Sequence, residues 1–292
     1  MTMISKAHFF LLVVLLLIPT RINAQDDVNR QNGIRCGYHF QKKYTPEGSY
    51  TKYLNMRLDY YDGESVFYDD FTFERDSLKL LAFDENGKIK NQEEYNKMRS
   101  LPRPRLDDMT IMDYKKGIAA QIYRQATITI RGDEQMPEPP SWELTEEVST
   151  VGSYSCKKAT AHYLGRTWTV WYTEEVPLPI GPWMLWGTPG LIVLAEDSEQ
   201  LFRFQLEWTD ELDNNNRLSF IDTCYPKSSF QKRGATKHFA LSMKDAEQMN
   251  NRIKTDAAYM SELIGGRPRD MEGLQSRMKY IPLIPDAYWK GK

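Results

Sequence analysis

Cysteine, histidine and long apolar runs are all scarce in this chain, and each scarcity removes a class of function. Of 292 residues only 3 are cysteines, Cys36, Cys156 and Cys224, too few and too scattered for a disulfide framework. An oxidising compartment permits one bridge, and Cys156 with Cys224 is the expected pair because both flank the same strand-rich region. Three buried thiols acting as small hydrophobes is the other reading. Histidine numbers 4. No His stands four residues from another, and neither His-Glu-x-x-His nor a paired Cys-x-x-Cys occurs, so no metal site is expected. A Gly-x-Ser-x-Gly elbow is missing, which leaves a hydrolase triad without its anchor. Charge is balanced, 38 basic against 40 acidic residues, with no block of either sign, so no nucleic-acid partner is expected.

The one long apolar run, Phe9 to Pro19, follows Lys6 and precedes Ile22-Asn23-Ala24. That is the order of a secretory signal, expected over residues 1–24 with cleavage before Gln25. At 11 residues the run is shorter than the ~20 needed to span a bilayer. The mature chain, 25–292, is therefore expected to be one β-rich domain exported across the inner membrane, to the periplasm, the outer membrane or beyond, and not membrane-spanning.

Strand patterns fill most of it. Ile34 to Lys43 and Ser49 to Tyr60 are rich in Tyr and punctuated by Pro46-Glu47-Gly48 and Asp62-Gly63. Asp70 to Met98 reads as an excursion out of the sheet, helical around Leu78 to Leu81. Met109 to Tyr114 and Gly117 to Ile130 resume strands. From Thr160 to Thr173 the period is two, with Trp168, Val170 and Tyr172 on one face and Thr167, Thr169, Trp171 and Thr173 on the other. Leu191 to Ala195 and Leu201 to Thr209 form a half-buried hairpin, and Arg217 to Thr223 another strand. A helix is expected from Ser242, as cap, to about Ile264, stopped by Gly265-Gly266, with a tail along the surface or on the sheet edge. The expected fold is mainly β (α+β): a curved antiparallel sheet of open-barrel-like form with a C-terminal helix packed on it.

One stretch is crowded beyond what strands need. It holds Cys156 with Lys158-Ala159-Thr160, Gly165-Arg166-x-Trp168, Trp171-Tyr172-Thr173, Gly181-Pro182-Trp183 and Gly187-Thr188-Pro189-Gly190-Leu191-Ile192. These residues, in this order, resemble the GLPGLI family of extracytoplasmic Bacteroidetes proteins, with Thr188 where that family has Leu. The resemblance implies a cell-envelope setting and an association with TonB-dependent outer-membrane receptor systems; it names no reaction.

Read for chemistry, the Gly187 to Ile192 turn invites a phosphate-loop comparison and fails it. No Gly-Lys-Ser/Thr follows, the segment leads into a strand, and Pro182 and Pro189 have no amide proton to donate. No cofactor is expected. Five of the 7 tryptophans, Trp168, Trp171, Trp183, Trp186 and Trp208, crowd this region. They pack a core or line a pocket for an apolar ligand. Candidate contacts for a ligand or partner are Arg166, Trp168, Trp183, Trp186, Gly187, Pro189 and Gly190. The expected function is non-enzymatic binding or assembly in the envelope, with an outer-membrane receptor or transport protein, a hydrophobic ligand or a peptide as partner. The alternative is an envelope hydrolase or peptidase with an unrecognised site, which would converge polar groups near Cys156, His162 or Glu196.

Overall fold

Thirteen strands hydrogen-bond into a single sheet in the computed structural model, which describes residues 33–84, 86–103, 106, 108–125, 128–212, 225, 231–233, 236–265 and 270–290. The strands are β1 (Gly33–Lys42), β2 (Thr51–Tyr61), β3 (Glu64–Asp69), β4 (Met109–Asp113), β5 (Ile118–Gln125), β6 (Ile128–Gln135), β7 (Glu143–Val151), β8 (Tyr154–Tyr163), β9 (Arg166–Thr173), β10 (Leu191–Asp197), β11 (Phe202–Leu212), β12 (Gln231–Arg233) and β13 (Thr236–Ser242). The signal segment 1–24, Cys224 and the expected strand Arg217 to Thr223 lie outside the described residues.

The spatial order is β12-β13-β6-β5-β4-β3-β2-β1-β11-β10-β9-β8-β7. Two meanders of sequential antiparallel strands, β1 to β6 and β7 to β11, are thus joined side by side through the β1–β11 pair. The sheet has two free edges and is not closed. It is also mixed, not wholly antiparallel, because β13 runs parallel to β6. Strands β1 and β5 are four places apart, roughly 19 Å in a flat sheet. Yet Lys42 and Tyr123, one from each, line the same cavity, so the sheet curls around it.

The main core fills the inner face. Tyr38, Phe40, Met56, Phe67, Trp168, Val170, Tyr172, Phe202 and Phe204 point into it at alternate positions, as the period of two dictates. Over them folds the turn-rich segment 174–190, whose Trp183 stacks obliquely on Trp168 at 5.8 Å. On the outer face lies α1 (Asp70–Ala82), capped by the Asp69 carboxylate, followed by α2 (Gln92–Ser100). The excursion out of the sheet is therefore two helices.

The expected single helix after Ser242 is two. Asp256 closes α3 (Met243–Thr255) and its side chain caps α4 (Ala257–Ile264), which ends at Gly265 in the left-handed conformation. Helix α3 lies close on β6 at Gly132, where a Cβ would stand 2.6 Å from that of Ala246. Beyond come α5 (Met271–Arg277) and α6 (Asp286–Lys290). The strap between them carries Ile284, and α6 carries Trp289; both are buried against the main core, so this tail covers the inner face and not the sheet edge. The expected strand 117–130 is likewise two strands, β5 and β6, paired antiparallel from Ile118↔Gln135 to Gln125↔Ile128. No described helix is long and apolar enough to cross a membrane.

Candidate functional site

Where the curled sheet, α3 and the strap meet, the apolar core gives way to polar groups around a cavity of about 30 Å³. That is room for roughly two water molecules. One wall is apolar, made by Phe40, Phe67, Trp183, Phe204 and Ile284. The other is built from Lys42, Asp108, Thr110, Gln121, Tyr123, Glu247 and Tyr280.

Strand alternation puts Lys42 there. Tyr38 and Phe40 point inward, and Lys42 is next in that series, the last residue of β1. It is 4% exposed. Among the described residues no carboxylate lies within ion-pair distance of its ammonium. Its company is two phenol rings, Tyr44 at 4.8 Å and Tyr280 at 4.6 Å from their centroids. Burial, with the nearby Lys254 charge, pulls Lys42 down to about 8, against the carboxylates of Asp108 and Glu247, which act on it from beyond ion-pair distance; at neutral pH the site holds an ammonium.

Helix periodicity supplies the opposite wall. Met243, Glu247, Asn250 and Lys254 recur at steps of four, three and four on one side of α3. Glu247 is 2% exposed; its Oε2 accepts a hydrogen bond from the Tyr123 hydroxyl, and its Oε1 has no partner. Burial pushes this carboxyl up to about 7, against the Tyr123 hydrogen bond and the Lys254 charge. Asn250 donates from Nδ2 to the Tyr280 hydroxyl at 3.3 Å and leaves its own buried Oδ1 unpaired. Lys254 is engaged otherwise, 3.1 Å from Asp108 and 4.4 Å over the Tyr280 ring. A buried cation without an anion and a buried acid with a free oxygen thus share one enclosure. Unpaired buried polar groups cost free energy, so such an enclosure is completed by a guest.

The residues expected at a site are placed differently. Trp168 is wholly buried, so it is core and not the wall of an open cleft. Trp183 is buried too, and alone of the seven candidates it reaches the cavity. Trp186 is half-buried against Tyr114, its carbonyl accepting from Trp142 Nε1 at 2.8 Å. Gly187 and Pro189 are exposed in the turn. Gly190 is pressed on β9, where a Cβ would lie 1.9 Å from the Thr173 carbonyl oxygen. The Gly-Thr-Pro-Gly-Leu-Ile segment is therefore a packing turn, locked by Thr188 Oγ1 donating to the Gly190 carbonyl and by Tyr38 donating to that of Ile192.

Arg166 is a latch. Its Nε and Nη2 donate to the carbonyls of Leu283 and Pro282, each at 2.8 Å, and its Nη1 reaches Asp197 at 3.3 Å and Glu199 at 2.7 Å. The guanidinium sits over the Phe202 ring and is buried, so it ties the strap across the sheet. Around Cys156, His162 and Glu196 no constellation forms. The Cys156 thiol is buried and pushed up to about 11 by that burial, His162 is exposed beside Thr167, and Glu196 pairs with Arg203. Cys36 and Cys156 are buried thiols not joined to each other, and the expected partner Cys224 lies outside the described residues.

The free edge at β7 is blunted. Its register against β8 slips between Leu144 and Val148, and Glu143, Glu146 and Glu147 stud it, both devices that discourage strand addition.

Comparison with known proteins adds little to this geometry. No protein-family model and no curated protein matches the chain. Among solved structures it is similar to PNGF-II in a P21 crystal form, at 14% identity and a TM-score of 0.42 over 68% of this chain and 34% of that one. For PNGF-II in a C2 form the values are 11%, 0.44, 75% and 32%. The chain spans about a third of PNGF-II, and the likeness is too slight to bear on function.

Lys42, Asp108, Glu247, Asn250, Lys254 and Tyr280 were not among the sequence candidates. Two signals in the sequence mark them. A lysine stands at an inward strand position, and a Glu, an Asn and a Lys share one side of a helix beside its apolar stripe.

Proposed function

We propose that this chain is an extracytoplasmic binding protein of the cell envelope, of the GLPGLI type, acting without catalysis on a ligand with an apolar part. The reading carries over the secretory pattern of residues 1–24 and the ordered motif from Cys156 to Ile192. The observation that supports binding is the enclosure between Lys42 and Glu247, half apolar and half polar, in which Lys42 has no ion-pair partner among the described residues and Glu247 Oε1 and Asn250 Oδ1 accept no hydrogen bond. Association with a TonB-dependent receptor system belongs to the same proposal, as the setting in which a small envelope carrier hands over its ligand.

The test is a thermal-unfolding panel on the purified mature protein with fatty acids, short organic acids, lipids and short peptides. A ligand that binds only the folded state raises Tm with its concentration. A concentration-dependent rise for one class supports the reading; no rise for any class sinks it.

A further inference from the structure

We propose that the Lys42–Glu247 cavity binds the carboxylate head of a small organic monoacid. This deepens the binding reading and rests on it.

Charge points to an anion. The groups that face the cavity are Lys42 from β1, Tyr44 just beyond it, Asp108 ahead of β4, Tyr123 from β5, Glu247 and Lys254 from α3, and Tyr280 from the strap; Asp286 of α6 acts on Glu247 from farther off. Asp108 and Lys254 cancel one another. Lys42 is left as a buried cation, and Glu247 is uncharged for as long as it keeps its proton. The enclosure then carries one uncompensated positive charge, which a monoanion neutralises at short range.

Shape and hydrogen bonding narrow the class. About two waters fit, and the two oxygens of a carboxylate replace them. One oxygen accepts from the Lys42 ammonium. The other accepts from protonated Glu247, whose Oε1 has no other partner. The apolar wall of Phe40, Phe67, Trp183 and Ile284 takes the carbon next to the carboxylate, and the small volume leaves room for little more, so a short monoacid suits the site better than inorganic anions.

Protonation gives the proposal a signature. Below about pH 7 Glu247 donates; above it, its own carboxylate repels the guest. Through about pH 8 Lys42 begins to lose its charge. Both changes weaken binding as pH rises.

The experiment is calorimetric titration of the full mature protein with acetate, dodecanoate and acetamide at constant ionic strength, at about pH 6 and about pH 9. Saturable acetate binding at the lower pH, at least about tenfold weaker at the higher, with no acetamide binding, is the expected result; tenfold corresponds to ~1.4 kcal/mol. Lys42→Met is expected to lose acetate binding by a similar factor. Glu247→Gln cannot ionise, so the acetate affinity it shows is expected to lose the part of the pH dependence near 7, which keeps the proposal testable should Lys42→Met fail to fold. Acetate binding marks a free short acid as sufficient, whereas binding by dodecanoate alone, too long for an enclosure of about 30 Å³, places the site elsewhere and overturns the proposal. Acetamide binding as well as acetate, or Lys42→Met binding as well as the wild type, overturns the carboxylate and leaves the binding reading standing. If none of the three ligands binds, this proposal falls, and the wider panel decides the reading beneath it.

Discussion

Replacing Arg166 with Met removes the guanidinium fork while leaving an apolar stem to pack on Phe202. Two outcomes are open to the molecule, and they cost about the same. If the strap stays in place, the carbonyls of Pro282 and Leu283 lose their donors and the buried Asp197 carboxylate loses its cation, although it still accepts from the amides of Leu201 and Phe202. Breaking a buried pair from one side costs about 3–5 kcal/mol. Glu199, largely exposed, adds little. If the strap lifts instead, Ile284 and Trp289 leave the core, at ~1.5–3 kcal/mol for each large apolar side chain. Either route predicts a loss of roughly 3–5 kcal/mol in urea unfolding. Hydrogen exchange separates the two routes: lifting speeds exchange across residues 279–290 and leaves β3 protected. Arg166→Lys keeps the charge and gives up the fork, so it is expected to fall between Met and wild type. A loss below about 1 kcal/mol, with unchanged exchange over the strap, would refute the latch.

Other expectations follow from burial. Glu247 titrates near 7 in the fold against about 4.5 unfolded, so its contribution to stability is fully present below about pH 4.5 and is lost as pH rises towards 7. Glu247→Gln should therefore match the wild type in denaturant unfolding near pH 4.5 and exceed it above pH 7, by up to ~3 kcal/mol; equal stability at both pH values would remove the buried acid from the account. Gly190→Ala brings a Cβ onto the Thr173 carbonyl, which β9 cannot move aside, and should lower stability by several kcal/mol, on the order of the severest overpacking changes. A Tm within a few degrees of the wild type would show that the turn yields. Cys36 and Cys156, both buried with thiols pushed up, should stay unmodified by iodoacetamide at pH 8 until the protein unfolds, and peptide mapping reads this directly.

Local pattern carried much of the fold. The Trp168-Val170-Tyr172 alternation identified the inner face of β9, and the 191–209 hairpin formed as β10 and β11, because both rest on a period that short-range sequence records. The β5–β6 break was missed because no Gly, Pro, Asn or Asp stands between Gln125 and Ile128, and the α3–α4 break because Asp256 interrupts a stripe without a Gly or Pro to announce it. The parallel β13–β6 pair depends on register between segments some hundred residues apart, which no local signal encodes. Aromatic density drew attention to the tryptophans, yet large rings fill cores by default, as Trp168 and Trp183 do here, while Trp171 and Trp186 are half-buried and Trp208 is exposed. The cavity was hidden for a different reason. Its polar residues come from β1, the segment before β4, β4, β5, α3 and the strap, so only the tertiary arrangement makes neighbours of them.

The side-by-side meanders set an order of assembly. Within each, a strand pairs with its chain neighbour, so those contacts close loops far shorter than the β1–β11 separation, the longest being the helical excursion between β3 and β4. The seam between β1 and β11 is different: Gly33 meets Leu212 and Lys42 meets Phe202, and nearly the whole of the intervening chain must be available before the first strand has both its partners. Contacts of that sequence separation slow folding. Two half-sheets made early and one seam closed late would expose the inner aromatic face during the interval, and β1, the first strand in chain order, waits longest for its second partner.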